Sequence, residues 1–240
     1  MQLILLSAGR GSRLSKKLRT KPKSLAKVNG KSIIDHNVDF FSKFKDKYII
    51  SGYKKNLLRN FAKKNNFKIL HNKKFQTTNM VHSMFLPSKF INQDVVICYG
   101  DIIFDPMIFD LLKEKQNIIP LNINWLKIWK KRMSTKEIKN DAEDVTLNNK
   151  FLHSIGGQIK KKYPKYQYMG IFKLKKNSFF SLNKFFKKIN MPNIDMTSFI
   201  DAAIKKENFK FKIKEFKSYW FEIDNLKDLN ISSKELRNKW

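Results

Sequence analysis

The chain begins with a short apolar run, Leu3 to Leu6, that breaks at once into SAGRGSRLSKKLRTKPK. Four apolar residues suit a strand buried on both faces and are far too few for a membrane span. Gly9 and Gly11 let the backbone turn tightly and approach a ligand, Arg10 and Arg13 bring fixed positive charge, and Pro22 stiffens the approach to Lys23. A strand feeding such a loop is a phosphate cradle. Two common forms of it are ruled out. The dinucleotide fingerprint needs a third glycine where Leu14 stands, and Gly30-Lys31-Ser32 ends like a Walker loop but has Leu25 at the first glycine position.

Periodicity predicts alternating strands and helices through the first half. Strands are expected at Leu3–Leu6, 48–51, 67–70, 94–99 and 118–123, with helices at 32–44, 55–65, 81–86 and 106–115 between them. That order implies a parallel sheet covered by helices, with ligands outside the carboxyl ends of the strands. Both the glycine loop and Gly100-Asp101 fall there. From Asn124 the pattern is less regular. Antiparallel strands are expected over 144–159 and 167–174, Phe-rich helices over 178–189 and 196–206, late strands over 210–216 and 219–221, and a closing helix over 226–238. With no internal repeat and no linker rich in Gly, Pro or Ser, one continuous domain is expected, with residues 1–123 as a nucleotide-binding half and 124–240 as an acceptor-binding half.

SAGRGSRL followed by Pro22-Lys23 resembles the N-terminal signature of the nucleotidyltransferases that activate sugar phosphates and other small phosphorylated compounds. The resemblance implies an α/β fold: a Rossmann-like mixed, mainly parallel sheet flanked by helices (nucleotide-diphospho-sugar transferase-like), with a small antiparallel acceptor-side subregion. It makes Arg13 and Lys23 the catalytic cations and puts Leu6, Ala8, Gly9, Gly11, Ser12 and Gly100 around the nucleotide. It also implies a Mg²⁺ ion held by Asp101 and by a second carboxylate near the C-terminal end. In Tyr219-Trp220-Phe221-Glu222-Ile223-Asp224, strand alternation puts Glu222 and Asp224 on one face, and Asp224 is the candidate. Two carboxylates and triphosphate oxygens suffice for magnesium, which prefers hard oxygen ligands and keeps waters. Ser7 departs from the family's usual Ala, and Arg19 or Lys21 in the basic stretch could share the role given to Lys23.

In QTTNMVHS, Gln76 to Ser83, a loop enters a helix. Asn79 reads equally as a helix cap and as a base-side contact, with Ser83 beside it. Trp125, Trp129 and Arg132 share a helical face, and Asp141-Ala142-Glu143 follows. This segment resembles the acceptor side of cytidylyltransferases acting on phosphocholine, aminoalkyl phosphonates or amino-phosphates. Aromatic faces and carboxylates hold an ammonium group, Arg132 could hold its phosphate, and Tyr168 and Trp220 could complete the cage. Tryptophans at helical spacing also commonly form core.

The expected reaction is transfer of CMP from CTP to a small phosphorylated or phosphonate acceptor, with a homodimer left open. The alternatives are a sugar-1-phosphate nucleotidyltransferase using UTP or dTTP, and a non-catalytic basic protein that binds nucleic acid or a partner. The formal charge of +30 favours anionic ligands, yet of 50 basic residues only Arg10, Arg13, Arg19, Arg59, Arg132 and Arg237 are arginines. Readers of base edges rely on the arginine fork, so a compositional bias toward Lys explains the charge better than a nucleic-acid footprint. A hydrophobic fraction of 42% with 21 Phe supports a packed core. The single cysteine, Cys98, reads as a small buried hydrophobe, and a cytoplasmic protein is expected.

Overall fold

The computed structural model describes residues 1–11, 20–159 and 162–239. In chain order the strands are β1 (Gln2–Ser7), β2 (Lys27–Val28), β3 (Lys31–Ser32), β4 (Lys47–Ser51), β5 (Phe67–His71), β6 (Val95–Tyr99) and β7 (Ile102–Phe104). They continue as β8 (Ile118–Asn122), β9 (Glu143–Asn148), β10 (Phe151–Gln158), β11 (Gln167–Tyr168), β12 (Ile171–Leu174), β13 (Lys212–Phe216) and β14 (Trp220–Glu222). The main sheet runs β5-β4-β1-β6-β12-β8-β13-β10-β9, with β11 paired to β8. Its first four strands are parallel, and β12 enters antiparallel between β6 and β8. The expected mixed, mainly parallel sheet with flanking helices is present.

Alternation along the central strands builds a core on each face. Ile4, Leu6, Val95 and Ile97 pack on one side with Phe172, Phe179 and Phe199, whereas Leu3, Leu5, Val96 and Cys98 pack on the other with Phe40, Phe41, Trp125 and Trp129. Burial on both faces is why these strands read as unbroken apolar runs. Cys98 is fully buried, as its surroundings in the sequence suggest. The chain runs from β1 outward to β4 and β5, then returns to β6 on the other side of β1, so the carboxyl ends of β1 and β6 flank a topological switch point.

Some local expectations fail for identifiable reasons. The helix expected over 32–44 is a 3-10 turn, Ile34–Asn37, followed by the short helix Val38–Phe41. Asn37 breaks it, because its amide donates to Ile102 O (2.7 Å) and accepts from Phe104 N–H (3.4 Å), pinning the segment to β7. Between 106 and 115 only Ile108–Leu111 is α-helical. The strand expected over 167–174 is split at Gly170, whose φ of 75° belongs to the left-handed region. The β2–β3 hairpin and β7 are additional, as is the helix Thr135–Asp141, which opens on a reciprocal Ser134–Glu137 capping box. Among the described residues no helix is long and apolar enough to cross a membrane.

The pair β7–β14 positions the site. It is antiparallel, with Trp220 opposite Phe104 and Glu222 opposite Ile102, and Ile223 N–H donates to Asp101 O at 3.0 Å. Ile103, Phe221 and Ile223 pack with Ala26, Val28 and Ile33 in a small separate core. With Phe221 and Ile223 facing that core, Glu222 and Asp224 are left on the opposite side.

Gly100 closes the crossover from β6. Its N–H donates to Leu6 O, and an added Cβ would lie 2.8 Å from that carbonyl and 2.9 Å from Ser7 Oγ. Gly100→Ala should therefore destabilise the chain by about 1–3 kcal/mol, as overpacking does, and lower Tm by several degrees in a thermal melt. An unchanged Tm would show that the β1–β6 end is looser than this packing indicates.

Candidate active site

Lys23 lies in the 3-10 turn Lys23–Leu25 directly after Pro22. The hydroxyl of Ser7 donates to Ser24 Oγ at 2.5 Å, tying this turn to the end of β1. Ser7 thus does more than replace a small residue. The Lys23 ammonium donates to Asp101 Oδ2 at 2.7 Å and to Asp224 Oδ1, so one cation bridges an acid from the turn after β6 and one from the C-terminal region. Only 12% of the Lys23 side chain is exposed. Burial alone would lower its pKa, but Asp101, Asp224 and Glu222 outweigh that and raise it, so the group stays charged. Glu222 is pushed up to about 8, by burial first and then by Asp224 and Asp101, against the pull of Arg132 and Lys23.

Two clefts meet at this cluster. The first, of about 250 Å³, is lined by Leu6 of β1, Ala8 and Gly9 of the loop after it, Gly100 and Asp101 of the turn after β6, and Lys23, Asn79 and Ser83. A Cβ on Gly9 would meet no atom of the described residues within 4 Å, so packing against them does not demand glycine there. Gly11 has a φ of 70°, which does. Asn79 caps the helix Met80–Phe85: its Oδ1 accepts from Met80 N–H at 2.7 Å, and its Nδ2 donates to Asn193 O at 3.3 Å. Its amide is thus engaged by protein on both sides. Arg13, Ser12 and Arg19 lie outside the described residues.

The second cleft, of about 230 Å³, shares Met80 with the first. Asp141, Glu143, Asp195, Glu222 and Asp224 line it together with the aromatic rings of Tyr99, Trp129, Tyr168 and Trp220. The expected acceptor residues divide here. Trp129, Asp141, Glu143, Tyr168 and Trp220 come together, but Trp125 and Arg132 line neither cleft. Trp125 is a core residue, 1% exposed, with its indole N–H donating to Pro164 O at 3.2 Å. Arg132 is also buried, lying 2.9 Å from Asp228 Oδ1 and donating to Glu222 O at 3.1 Å, so it does not present a guanidinium to an acceptor phosphate.

Sequence reasoning missed several lining residues. Asn72 is buried and donates to Thr78 Oγ1 and Ser83 Oγ, both at 3.0 Å, which braces the first cleft. Asp195 and Thr197 reach the second cleft from the start of the helix Met196–Glu207. The only available signal was Asp195 as a helix cap, which points to local structure and not to a ligand.

Among the described residues, no group of three or more His, Cys, Asp or Glu side chains forms a ready metal cage. The pair Asp101 and Asp224 nevertheless fits a divalent cation that completes its shell with phosphate oxygens and water. The two carboxylates already converge on one cation, and Asp101 Oδ1 is buried without a hydrogen-bond partner among the described residues.

A cleft at a switch point, with a glycine turn, a buried lysine and two converging acids, describes an enzyme class that handles nucleoside triphosphates. Known proteins agree. The family model of the MobA-like NTP transferase domain matches residues 3–118. The CTP:phosphoglutamine cytidylyltransferase of Campylobacter jejuni is 30% identical over 258 residues, spanning 96% of this chain and 98% of that protein. Two solved structures share the fold. The inositol-1-phosphate CTP transferase from T. maritima has a TM-score of 0.81 at 20% identity, covering 99% of this chain and 95% of its own. The CTP:phosphocholine cytidylyltransferase from Streptococcus pneumoniae has 0.78 at 18%, covering 98% of each. The chain belongs to the MobA-like NTP transferase family and is a nucleotidyltransferase.

Glu143 offers a test of the second cleft's electrostatics. Its carboxyl is raised above the ordinary range by burial, with Asp195 and Asp141 adding to the shift and the Thr197 hydroxyl, 2.6 Å away, opposing it. The folded chain then keeps a proton that the unfolded chain has already lost, so this group makes stability fall as pH rises from about 4.5 through its raised value. Glu143→Gln should flatten that fall in denaturant titrations across the window. An unaltered pH profile would place the Glu143 carboxyl in a more solvated setting.

Proposed function

We propose that the chain transfers CMP from CTP to a small acceptor that carries both a phosphate or phosphonate and a positively charged nitrogen, releasing pyrophosphate. The observation that carries this reading is the second cleft, where carboxylates and aromatic faces meet beside Asp224. Such a lining suits an ammonium or quaternary ammonium group. It gives a neutral, hydroxyl-rich sugar no charge to complement. CTP is favoured because the C. jejuni relative, whose name states CTP and phosphoglutamine, matches along nearly its whole length. Phosphocholine-like, aminoethylphosphonate-like and amino-acid phosphate acceptors all meet the requirement.

In this reading residues 1–123 hold the nucleotide and 124–240 hold the acceptor and supply the second metal carboxylate, the two halves working as one unit. An acceptor oxygen attacks the α-phosphorus of CTP, and the bond from that phosphorus to the bridging oxygen breaks, its electron pair leaving with pyrophosphate. The attacking oxygen is already ionised at neutral pH, so the chain needs no general base. Its residues align and neutralise. Lys23 keeps its proton beside the acids and supplies fixed positive charge, Arg13 is assigned the same task from the opening loop, and the backbone around Ala8 and Gly9 lets the triphosphate approach closely. Mg²⁺ held by Asp101 and Asp224, when bound, would spread the charge that builds on the transferring and leaving groups.

The test is pyrophosphate release from each of four nucleoside triphosphates against phosphocholine, 2-aminoethylphosphonate, phosphoglutamine and glucose 1-phosphate. CTP with an acceptor bearing an ammonium or quaternary ammonium group is expected to lead, and UTP or dTTP with glucose 1-phosphate leading would overturn the proposal. Lys23→Ala should lower kcat by about a hundredfold or more while circular dichroism stays unchanged. Normal turnover by that variant would remove Lys23 from the mechanism.

A further inference from the structure

Arg132 and Asp228 are among the most buried charged residues described, 4% and 1% exposed. Each grips the segment that bears Asp224. Arg132 Nη1 donates to Glu222 O at 3.1 Å, and its Nη2 lies 3.7 Å from Glu222 Oε2. Asp228 Oδ2 accepts the N–H groups of Asp224 (2.9 Å) and Asn225 (3.1 Å), and Asp228 N–H donates back to Asn225 Oδ1 at 3.0 Å. The two grips are joined, since Arg132 Nη1 stands 2.9 Å from Asp228 Oδ1.

A helix cap alone would need only the exchange between Asn225 and Asp228 at the start of the helix Leu226–Lys239. The arginine comes from the helix Trp125–Arg132 and is superfluous for that purpose. A buried ion pair is also a poor means of gaining stability, because desolvation offsets most of its attraction. What the pair does achieve is to fix the carbonyl before Ile223 and the amides of Asp224 and Asn225 in one frame. Arg132 also lies over the ring of Trp129 at 4.9 Å, and Trp129 lines the second cleft.

We propose that Arg132 and Asp228 are positioning residues that set the Asp224 carboxylate for the divalent cation accompanying the triphosphate. The inference rests on the triphosphate reading above. It replaces the expected role of Arg132 as a phosphate ligand with one exerted through the backbone.

The test is binding of Mn²⁺ in the presence of CTP and without acceptor, measured by calorimetry on the full chain. The double variant Arg132→Met/Asp228→Asn removes both charges of the pair together, so neither is left without the other, and Asn keeps an oxygen for the two N–H groups. It should remain folded and bind Mn²⁺ about tenfold more weakly, in the range typical for the loss of groups that orient metal ligands. Lys131→Ala is the control for general loosening. It cuts the Lys131–Glu235 ion pair (2.7 Å) between the same two helices and should leave Mn²⁺ affinity unchanged. Arg132→Lys, which keeps the charge but loses the fork, should fall between wild type and the double variant, and it carries the test if the double variant does not fold. Wild-type affinity in the double variant, or in Arg132→Lys where that variant stands in, overturns the inference. Equal weakening in Lys131→Ala also overturns it. A wild-type chain that takes up no Mn²⁺ with CTP overturns the triphosphate reading and this inference together, whereas normal wild-type binding with an unaffected double variant removes only the inference.

Discussion

Everything at the site depends on bringing carboxylates from distant parts of the chain to one point, and the pairing of β7 with β14 does this. Its register puts Ile102 opposite Glu222, and the Ile223 N–H bonds the Asp101 carbonyl. The small apolar core beneath, built on Ile103, Phe221 and Ile223, supplies the burial that holds a three-residue ladder in place. The consequence is electrostatic. Asp101, Glu222 and Asp224 would repel one another in a half-buried setting, and the structure resolves this with the Lys23 ammonium and, for Glu222, with a carboxyl pushed up to about 8. A place that demands positive charge from its own chain is also suited to receive a cation from outside.

The sheet explains why this point opens on two clefts. Strands β1 and β6 end side by side at the switch point, so the glycine turn and Asp101 share a wall. Strand β12 then enters antiparallel beside β6, and residues just before it, Tyr168 to Gly170, bound the second cleft. Lys23 contacts an acid lining each. Under the proposed assignment the nucleotide cleft and the acceptor cleft would adjoin at these charged side chains, which would bring the two reactants together.

Much of this was legible in the residues. Leu3 to Leu6, the glycine turn, Asp101 at a strand end and the alternation from Trp220 to Asp224 all depend on local periodicity, and local periodicity survives folding. Other features depend on partners distant in sequence. Strand β7 is hidden because Ile102-Ile103-Phe104 follows VVICYGD so closely that it reads as a turn after β6, and its partner lies near the C-terminal end. Trp125 and Trp129 occupy the same helical face, yet the first is fully enclosed, with its indole N–H satisfied by Pro164, while the second reaches a cleft wall. Depth along a shared face is set by what packs above it, which spacing does not encode. Arg132 misleads for the same reason: an arginine near tryptophans fits a phosphate ligand until Asp228 is placed 2.9 Å away.

The charge balance follows the same logic at a larger scale. A chain with a formal charge of +30 has only 20 acidic residues, and Asp101, Asp141, Glu143, Asp195, Glu222 and Asp224 all line these two adjoining clefts. Lysines spread over the chain create a long-range field that draws in anions and is screened by salt within about 10 Å at 0.1 M. In the second cleft, lined by five of these acids, the balance of charged side chains turns acidic over a short distance, where screening is weaker. In the proposed reaction an anionic triphosphate would be favoured on approach, and an acceptor bringing its own positive charge would complement the acidic wall of the second cleft. A phosphorylated amine has both properties in one small body. The same contrast accounts for the concentration of acids here despite their scarcity elsewhere.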